Sequence, residues 1–366
     1  MRLVAIDELR GNDIISCDIL DSNDRILLTK GSRIKLSYLN KLESLGIYQI
    51  YIEDSISEGI KYEKLLCEET KIEVKKTINT EMNKYLKCKD FDIDEIKNVS
   101  KIILNEILSN PIDLINLKDI RLKHDLLFSH SISVCSLAIY LCLKMGLKHS
   151  KILAIGTGCI LHDFGKLMVP KEILYKSEPL TKSEVIEYKK HPTYGYEAVK
   201  NESSINTVTK LVIYMHHEMN NGSGYPNGIM EDKIHEAAKI CSICDKFDSL
   251  TNNLSYRKAF GTSYAVEYLT STSGIYFDKL FIDEFLKYIP VYPTGSIVLL
   301  NNGIVGIVVK NNTKHLTRPI IRYIYNPKTK IKYKNKTVNL LEELTLFIES
   351  EVNFSREEYD NISKTE

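Results

Sequence analysis

Between Ile60 and Met145 the chain contains no glycine and a single proline, Pro111. Glycine and proline oppose helix interiors more than any other residues, so a stretch this long without them favours helix. Lys61 to Leu86 reads as a charged, amphipathic connector helix. From about 112 to 288 the helical pattern continues but turns far more apolar, and this region holds eight of the nine histidines. Its longest unbroken apolar run, Leu137 to Leu143, is too short to span a bilayer. The N-terminus carries Asp7 and Glu8 without a long apolar core, which is not the pattern of a signal peptide. Forty-nine Lys and Arg balance 48 Asp and Glu, a net charge of +1. No overall field therefore argues for a nucleic acid polymer as partner. Eight cysteines, mostly inside apolar segments, fit reduced thiols and a cytoplasmic location rather than a disulfide framework.

The flanks differ from this centre. In residues 1–55, Ile14–Leu20 and Arg25–Leu28 read as short strands around a turn at Asp21–Asp24. Ile34 to Leu45 keeps helical spacing up to Gly46, and Ile50–Ile52 closes a small α+β module. After Pro290, Ser296–Leu300, Ile304–Val309 and Ile320–Ile324 read as strands, with turns at Asn301–Gly303 and Asn326–Pro327. Residues 301–340 hold nine Lys or Arg and no acid, the composition of a solvated β edge kept from aggregating by lysine. The expected organisation is mainly α: an N-terminal module 1–55, connector helices 56–111, a helical domain 112–289, a small β-rich module 290–348 and a polar tail 349–366. There is no internal repeat, no Walker-type phosphate loop and no GxGxxG.

The chemistry is expected where the histidines are. The candidates are His130, His162-Asp163, His191, His216-His217 and Asp245. Two of these are adjacent polar pairs inside apolar helices, and buried polar groups are costly unless paired or metal-bound. Helix neighbours diverge by about 100°, so one pair can address two metals, or one metal and its bridging ligand. Imidazoles with carboxylates suit Fe, Mn, Zn or Co better than Mg or Ca. Gly165 follows the first pair, and Gly222, Gly224 and Gly228 follow the second, placing flexible backbone beside both. Asn221 to Gly228 forms a polar turn with one aromatic, Tyr225, a plausible lip for a substrate ring or phosphate. Cys241 and Cys244 have redox or zinc spacing, but no second such pair exists and core packing is the favoured reading. His124, His149, His235 and His315 fit no pattern and read as structural or surface residues.

Taken together, His162-Asp163-Phe-Gly-Lys166, His216-His217-Glu218 and Gly224-Tyr225-Pro226 resemble the HD-GYP family of bacterial phosphodiesterases acting on cyclic di-GMP, within the HD superfamily of metal-dependent phosphohydrolases. His130 matches the family's upstream metal histidine. His191-Pro192 before Gly195 matches its H-P-x-x-G stretch, Ile243-Cys244-Asp245-Lys-Phe-Asp248-Ser-Leu-Thr251 its A-D-x-Y-D-A-L-T helix, and Tyr256-Arg257-Lys258-Ala259 its Y-R-K-A. The resemblance covers about residues 120 to 288 and implies an all-helical HD-domain core. Three departures stand out. Leu126 occupies the place where some members carry a Glu and hold three metals, so a two-metal site is expected. Leu254 replaces an Arg, and Asn221 replaces an Asp.

The resemblance implies two divalent transition-metal ions, Fe or Mn first and Zn, Co or Ni next. The implied ligands are His130, His162, Asp163, His191, His216, His217 and Asp245, with Asp163 as the bridge. Lys166 would meet a phosphate oxygen of the substrate, Tyr225 would stack on guanine beside Gly224 and Pro226, and Arg257 with Lys258 would grip phosphate. Glu218 would orient an imidazole. The implied reaction is hydrolysis of cyclic di-GMP to linear pGpG, with a further step to GMP left open. Alternatives are a catalytically weak cyclic di-GMP receptor and an HD hydrolase of another nucleotide. A homodimer or a signalling partner would engage the N-terminal module.

Overall fold

Short strands bounded by turns become sheets at both ends of the chain. The computed structural model describes residues 2–9, 11–20, 26–44, 47, 49–61, 65–115, 126–176, 178–252 and 260–352. Strands β1 (Arg2–Ala5), β2 (Ile14–Ile15), β3 (Ile19–Leu20) and β4 (Ile26–Leu28) precede helix α1 (Leu39–Ser44) and strand β5 (Gln49–Glu53). β5 is the middle of an antiparallel sheet ordered β1-β5-β2, and β3 pairs with β4. Val4, Leu9, Ile15, Ile34, Leu42, Ile50 and Ile52 fill the core between them. Helix is confined to 39–44 because a 3-10 turn, Leu36–Tyr38, takes up the start of the run expected from Ile34.

Five strands follow near the C-terminus: β6 (Ile297–Leu300), β7 (Val305–Lys310), β8 (Ile320–Tyr325), β9 (Thr337–Asn339) and β10 (Ile348–Glu351). They form one antiparallel sheet in the order β10-β6-β7-β8-β9. Strand alternation sends Val298, Leu300, Val308 and Ile321 to one face and Ile297, Ile307 and Ile324 to the other. Ile56 and Ile60, just after β5, cover that second face. The Arg322 guanidinium donates to the carbonyls of Ile56 and Glu58 at 2.6 and 3.0 Å. One compact unit thus collects Met1–Glu63, Asp113–Lys118 and Lys287–Glu366. The polar stretch from Glu349 begins as strand rather than tail, since β10 pairs with β6 through backbone groups. Ile348 packs on one face of the sheet and Val352, just past the strand, on the other.

The second unit, Lys64–Ile112 with Asp119–Leu286, is helical and carries the site. Its helices are α2 (Glu68–Cys88), α3 (Ile93–Ser109), α4 (Leu126–Lys144), α5 (His149–Leu161), α6 (Lys171–Leu174), α7 (Lys182–Tyr188), α8 (His191–Val199), α9 (Thr207–Met215), α10 (Glu236–Thr251), α11 (Thr262–Thr272) and α12 (Lys279–Leu286). Caps set the boundaries: Asp92 accepts from the Asp94 amide at the start of α3, and Thr181 and Glu184 close a capping box on α7. α4 is buried around its whole circumference from Ser131 to Cys142, as an all-apolar helix must be. Its serines do not break it, because hydroxyls such as that of Ser136 donate to the preceding turn, here to Ile132 O. Cys241 and Cys244 lie buried on α10 as free thiols, with burial pushing both up and out of reactive range. No helix among the described residues is long and apolar enough to cross a membrane.

Candidate metal centre

Four helices end or turn at one point, and the residues there are the polar pairs. α5 closes on His162, and Asp163 leads into a 3-10 turn, Phe164–Met168. His191 opens α8, and His216 caps the C-terminus of α9 with His217 next to it. His130 comes from α4 and Asp245 from the middle of α10. The ligand-type atoms fall into two groups, each within 4.8 Å of one another: Asp163, His191, His216 and His217 in one, and His130, His162 and Asp245 in the other. All seven expected metal residues are thereby brought together.

The Asp163 carboxylate faces both groups. Its Oδ1 lies 3.4 Å from His191 Nε2 and 3.9 Å from His216 Nε2. Its Oδ2 lies 3.4 Å from His162 Nε2 and 3.7 Å from His130 Nε2. Asp245 Oδ1 is 3.0 Å from His130 Nε2, and its Oδ2 is 3.8 Å from His217 Nδ1.

Hydrogen bonds behind the imidazoles fix which nitrogen faces inward. Nδ1–H donates to a backbone carbonyl in three cases: His162 to Cys159 at 2.7 Å, His191 to Tyr188 at 2.8 Å and His216 to Ile213 at 2.9 Å. A carbonyl can only accept, so Nδ1 carries the proton and Nε2 presents its lone pair to the centre. His130 Nδ1 pairs instead with the Asp248 carboxylate at 2.7 Å. Asp248 is a site residue that sequence reasoning passed over; its spacing of three from Asp245 on α10 puts the two on one helix face.

The electrostatics follow from this layout. Burial and neighbouring histidines keep His217 well below its usual range. Burial holds His191 down to about 4 and His216 down to about 3. Burial also opposes charge on His130, but its bonds to Asp245 and Asp248 outweigh that and raise it to about 10. Burial alone would raise Asp163, yet His162 and Lys166 beside it keep the carboxylate well below the ordinary range. Lys166 Nζ donates to Asp163 Oδ2 at 2.5 Å and sits 5.5 Å from the Tyr188 ring centroid.

The fit to metal ions rests on two atoms. His162 Nε2 and Asp163 Oδ1 are buried and have no hydrogen-bond partner. A buried orphan of this kind is costly, and both atoms are lone-pair donors turned toward the centre. Five imidazoles and two carboxylates in the two groups are the donor set of divalent transition metals.

The surrounding loops are tightly built. A Cβ on Gly165 would lie 1.8 Å from His191 O, so only glycine lets the 3-10 turn touch the start of α8. A Cβ on Gly224 would lie 2.4 Å from the Met219 amide and 2.5 Å from His217 O. Gly224 thus serves the fold-back of its own loop. Glu218 departs from its expected role, since its two oxygens accept from the amides of Asn227 and Ile229 rather than from an imidazole. Asn221 caps the turn by accepting from the Ser223 amide and hydroxyl. Tyr225 stacks on His217 with centroids 4.6 Å apart, and its peptide bond to Pro226 is cis. Arg257, Lys258 and Leu254 lie outside the described residues, as does His124, while the side chain of Leu126, first residue of α4, is likewise not described. His235 caps α10, and His149 and His315 are exposed.

Residues 114–280 match the HD domain family, and residues 297–359 match the KOW domain associated with HD domain. Within the helical unit these residues are thus similar to the HD domain, and the relatives below share that similarity. A cyclic di-GMP phosphodiesterase from Pseudomonas aeruginosa is 26% identical over 78% of this chain and 68% of its own length. The cyclic di-GMP phosphodiesterase response regulator RpfG of Xanthomonas campestris is 33% identical over 39% of this chain and 38% of its own. Among solved structures, an HDG"Y"P protein from Bdellovibrio bacteriovorus aligns with 77% of this chain and 97% of its own at 19% identity and a TM-score of 0.49.

Proposed function

We propose that this chain is a metal-dependent phosphodiesterase that hydrolyses cyclic di-GMP to linear pGpG. The observation that carries the reading is the Asp163 carboxylate, whose Oδ1 and Oδ2 face two separate groups of ligand atoms. His191, His216, His217 and Asp163 Oδ1 would hold one divalent ion, and His130, His162, Asp245 and Asp163 Oδ2 the other. Ions held by these residues would supply activation of a water and polarisation of the phosphate.

The chain's own residues do the rest. Nδ1–H bonds to Cys159, Tyr188 and Ile213 carbonyls keep three imidazoles aimed inward before any ligand binds, so no reorganisation is needed at the reaction. Lys166, held by Asp163, places an ammonium beside the bridge, where it meets the negative charge that grows on the phosphate oxygens. Tyr225 buttresses His217. Arg257 and Lys258, from the family's Y-R-K-A, add phosphate contacts. Leu126 offers no ligand, which supports two ions rather than three.

The test is incubation of the purified protein with cyclic di-GMP and other cyclic nucleotides under anaerobic Fe(II) or Mn(II), with products separated by chromatography. Formation of pGpG or GMP supports the reading. Metal-loaded protein that binds cyclic di-GMP without turnover would make it a receptor instead.

A further inference from the structure

We propose that Lys189 is a substrate-binding residue, the subsite for the second, unreacting phosphate of the cyclic dinucleotide; the proposal rests on the phosphodiesterase reading above. Such a substrate carries two phosphodiesters, and the metal centre engages only the one that is cleaved. Lys166 is committed to Asp163. Position 254 is leucine, so the phosphate contacts assigned to Arg257 and Lys258 lack a neighbouring cation, and Lys189 can supply it.

Lys189 follows α7 and stands two residues before His191. It is exposed, and its ammonium lies 5.1 Å from the centroid of the Tyr225 ring. That ring stacks on His217 and lies 6.1 Å from His191. The ammonium therefore stands beside the ring that packs on His217 and His191, two members of the group formed by Asp163, His191, His216 and His217.

The local carboxylates are already engaged. Glu187 accepts from Lys190 at 2.6 Å and from the Tyr194 hydroxyl at 2.5 Å. Glu184 accepts from Lys176 and the Thr181 amide. Among the described residues Lys189 has no carboxylate within ion-pair distance, in contrast to its neighbour Lys190. An exposed cation over an aromatic ring is weakly held, so a phosphate oxygen can displace it from the ring and take a charge-assisted hydrogen bond. The four-carbon stem gives it reach without fixed geometry.

The experiment compares two substrates in the Mn(II)-loaded full-length protein. Cyclic di-GMP has two phosphates; bis(4-nitrophenyl) phosphate has one. Lys189→Ala should lower the ratio of kcat/KM on cyclic di-GMP to kcat/KM on the single-phosphate diester by about tenfold. Lys189→Arg should restore the ratio and Lys189→Glu should depress it further, all at wild-type metal content. A ratio unchanged in Lys189→Ala, or equal losses on both substrates, overturns the assignment. The first outcome makes Lys189 a bare surface residue, and the second makes it a prop for Tyr225. Wild-type protein that cleaves the simple diester but neither binds nor cleaves a cyclic dinucleotide overturns the underlying reading as well, and so is told apart from failure of Lys189 alone.

Discussion

Asp163 is the residue on which the two groups of ligand atoms depend. Its two oxygens each face two or more donors, and Lys166 adds an ion pair. Asp163→Asn keeps the shape but removes the charge and one of the two oxygens, so the carboxylate shared by both groups of ligand atoms is lost. We expect hydrolysis to be abolished and bound metal to fall, measured by elemental analysis; near-normal metal and activity would sink the bridge. Asp248 acts one step further out. It touches no metal-facing atom, but its bond to His130 Nδ1 turns Nε2 toward Asp245. Loss of such a partner typically weakens metal binding about 10–100-fold. Asp248→Leu should therefore weaken the His130, His162 and Asp245 half while leaving the other half loaded, so that titration with metal becomes two-phased. Asp248→Asn, which still accepts a hydrogen bond, should be milder. Equal weakening of both phases by Asp248→Leu would mean that the residue only supports the fold.

At the scale of elements, the site depends on how closely the turn after α5 meets the start of α8. Gly165 and Gly195 face one another there, and the space a methyl group would need at Gly165 is taken by backbone. Backbone cannot yield as the end of a flexible side chain can. Gly165→Ala should move His191 away from Asp163 and destabilise the protein by about 1–3 kcal/mol, seen as a lower Tm together with lost metal. A variant with unchanged Tm and metal content would contradict this contact. Much of this was legible in the sequence, and for physical reasons. Buried polar residues must be partnered, so His162-Asp163 and His216-His217 stood out against apolar surroundings. Asp248 did not, because a carboxylate one turn from another on a helix looks like either a ligand or a cap until His130 is placed beside it. Nor did Glu218, since the amides of Asn227 and Ile229 that it binds belong to a loop whose path no periodicity records. Strand β10 was hidden for a related reason: its pairing uses backbone groups, which composition does not report.

On the scale of the whole molecule, the centre couples metal, protons and stability. In the metal-free protein His191 and His216 are held down to about 4 and 3, and His217 lower than usual, all by burial first. The unfolded chain protonates these groups near 6.5, so between about pH 6.5 and 4 it binds protons the folded chain refuses, and stability falls as the pH falls. Asp163 and Asp245, both well below the ordinary carboxylate range, act in the same direction at lower pH still. His130 has the opposite sign. Raised to about 10, it is protonated in the folded chain where the unfolded chain is not, so its contribution is complete below about 6.5 and is lost as the pH rises toward 10. Up to about pH 9, above which the buried thiols also pull, one group of the centre acts on the alkaline side and at least three on the acid side. A tenfold change in a group's proton affinity on folding is worth about 1.4 kcal/mol at most, so the acid limb should be the steeper. Calorimetry of chelator-treated protein should therefore show Tm greatest near neutrality, with a sharper fall toward pH 4 than toward pH 9. Metal must displace the His130 proton, so its stabilising effect should grow with pH. A Tm flat between pH 6.5 and 4, or a metal-induced rise in Tm that shrinks as the pH is raised, would show that these imidazoles are not the buried, neutral ligands the structure describes.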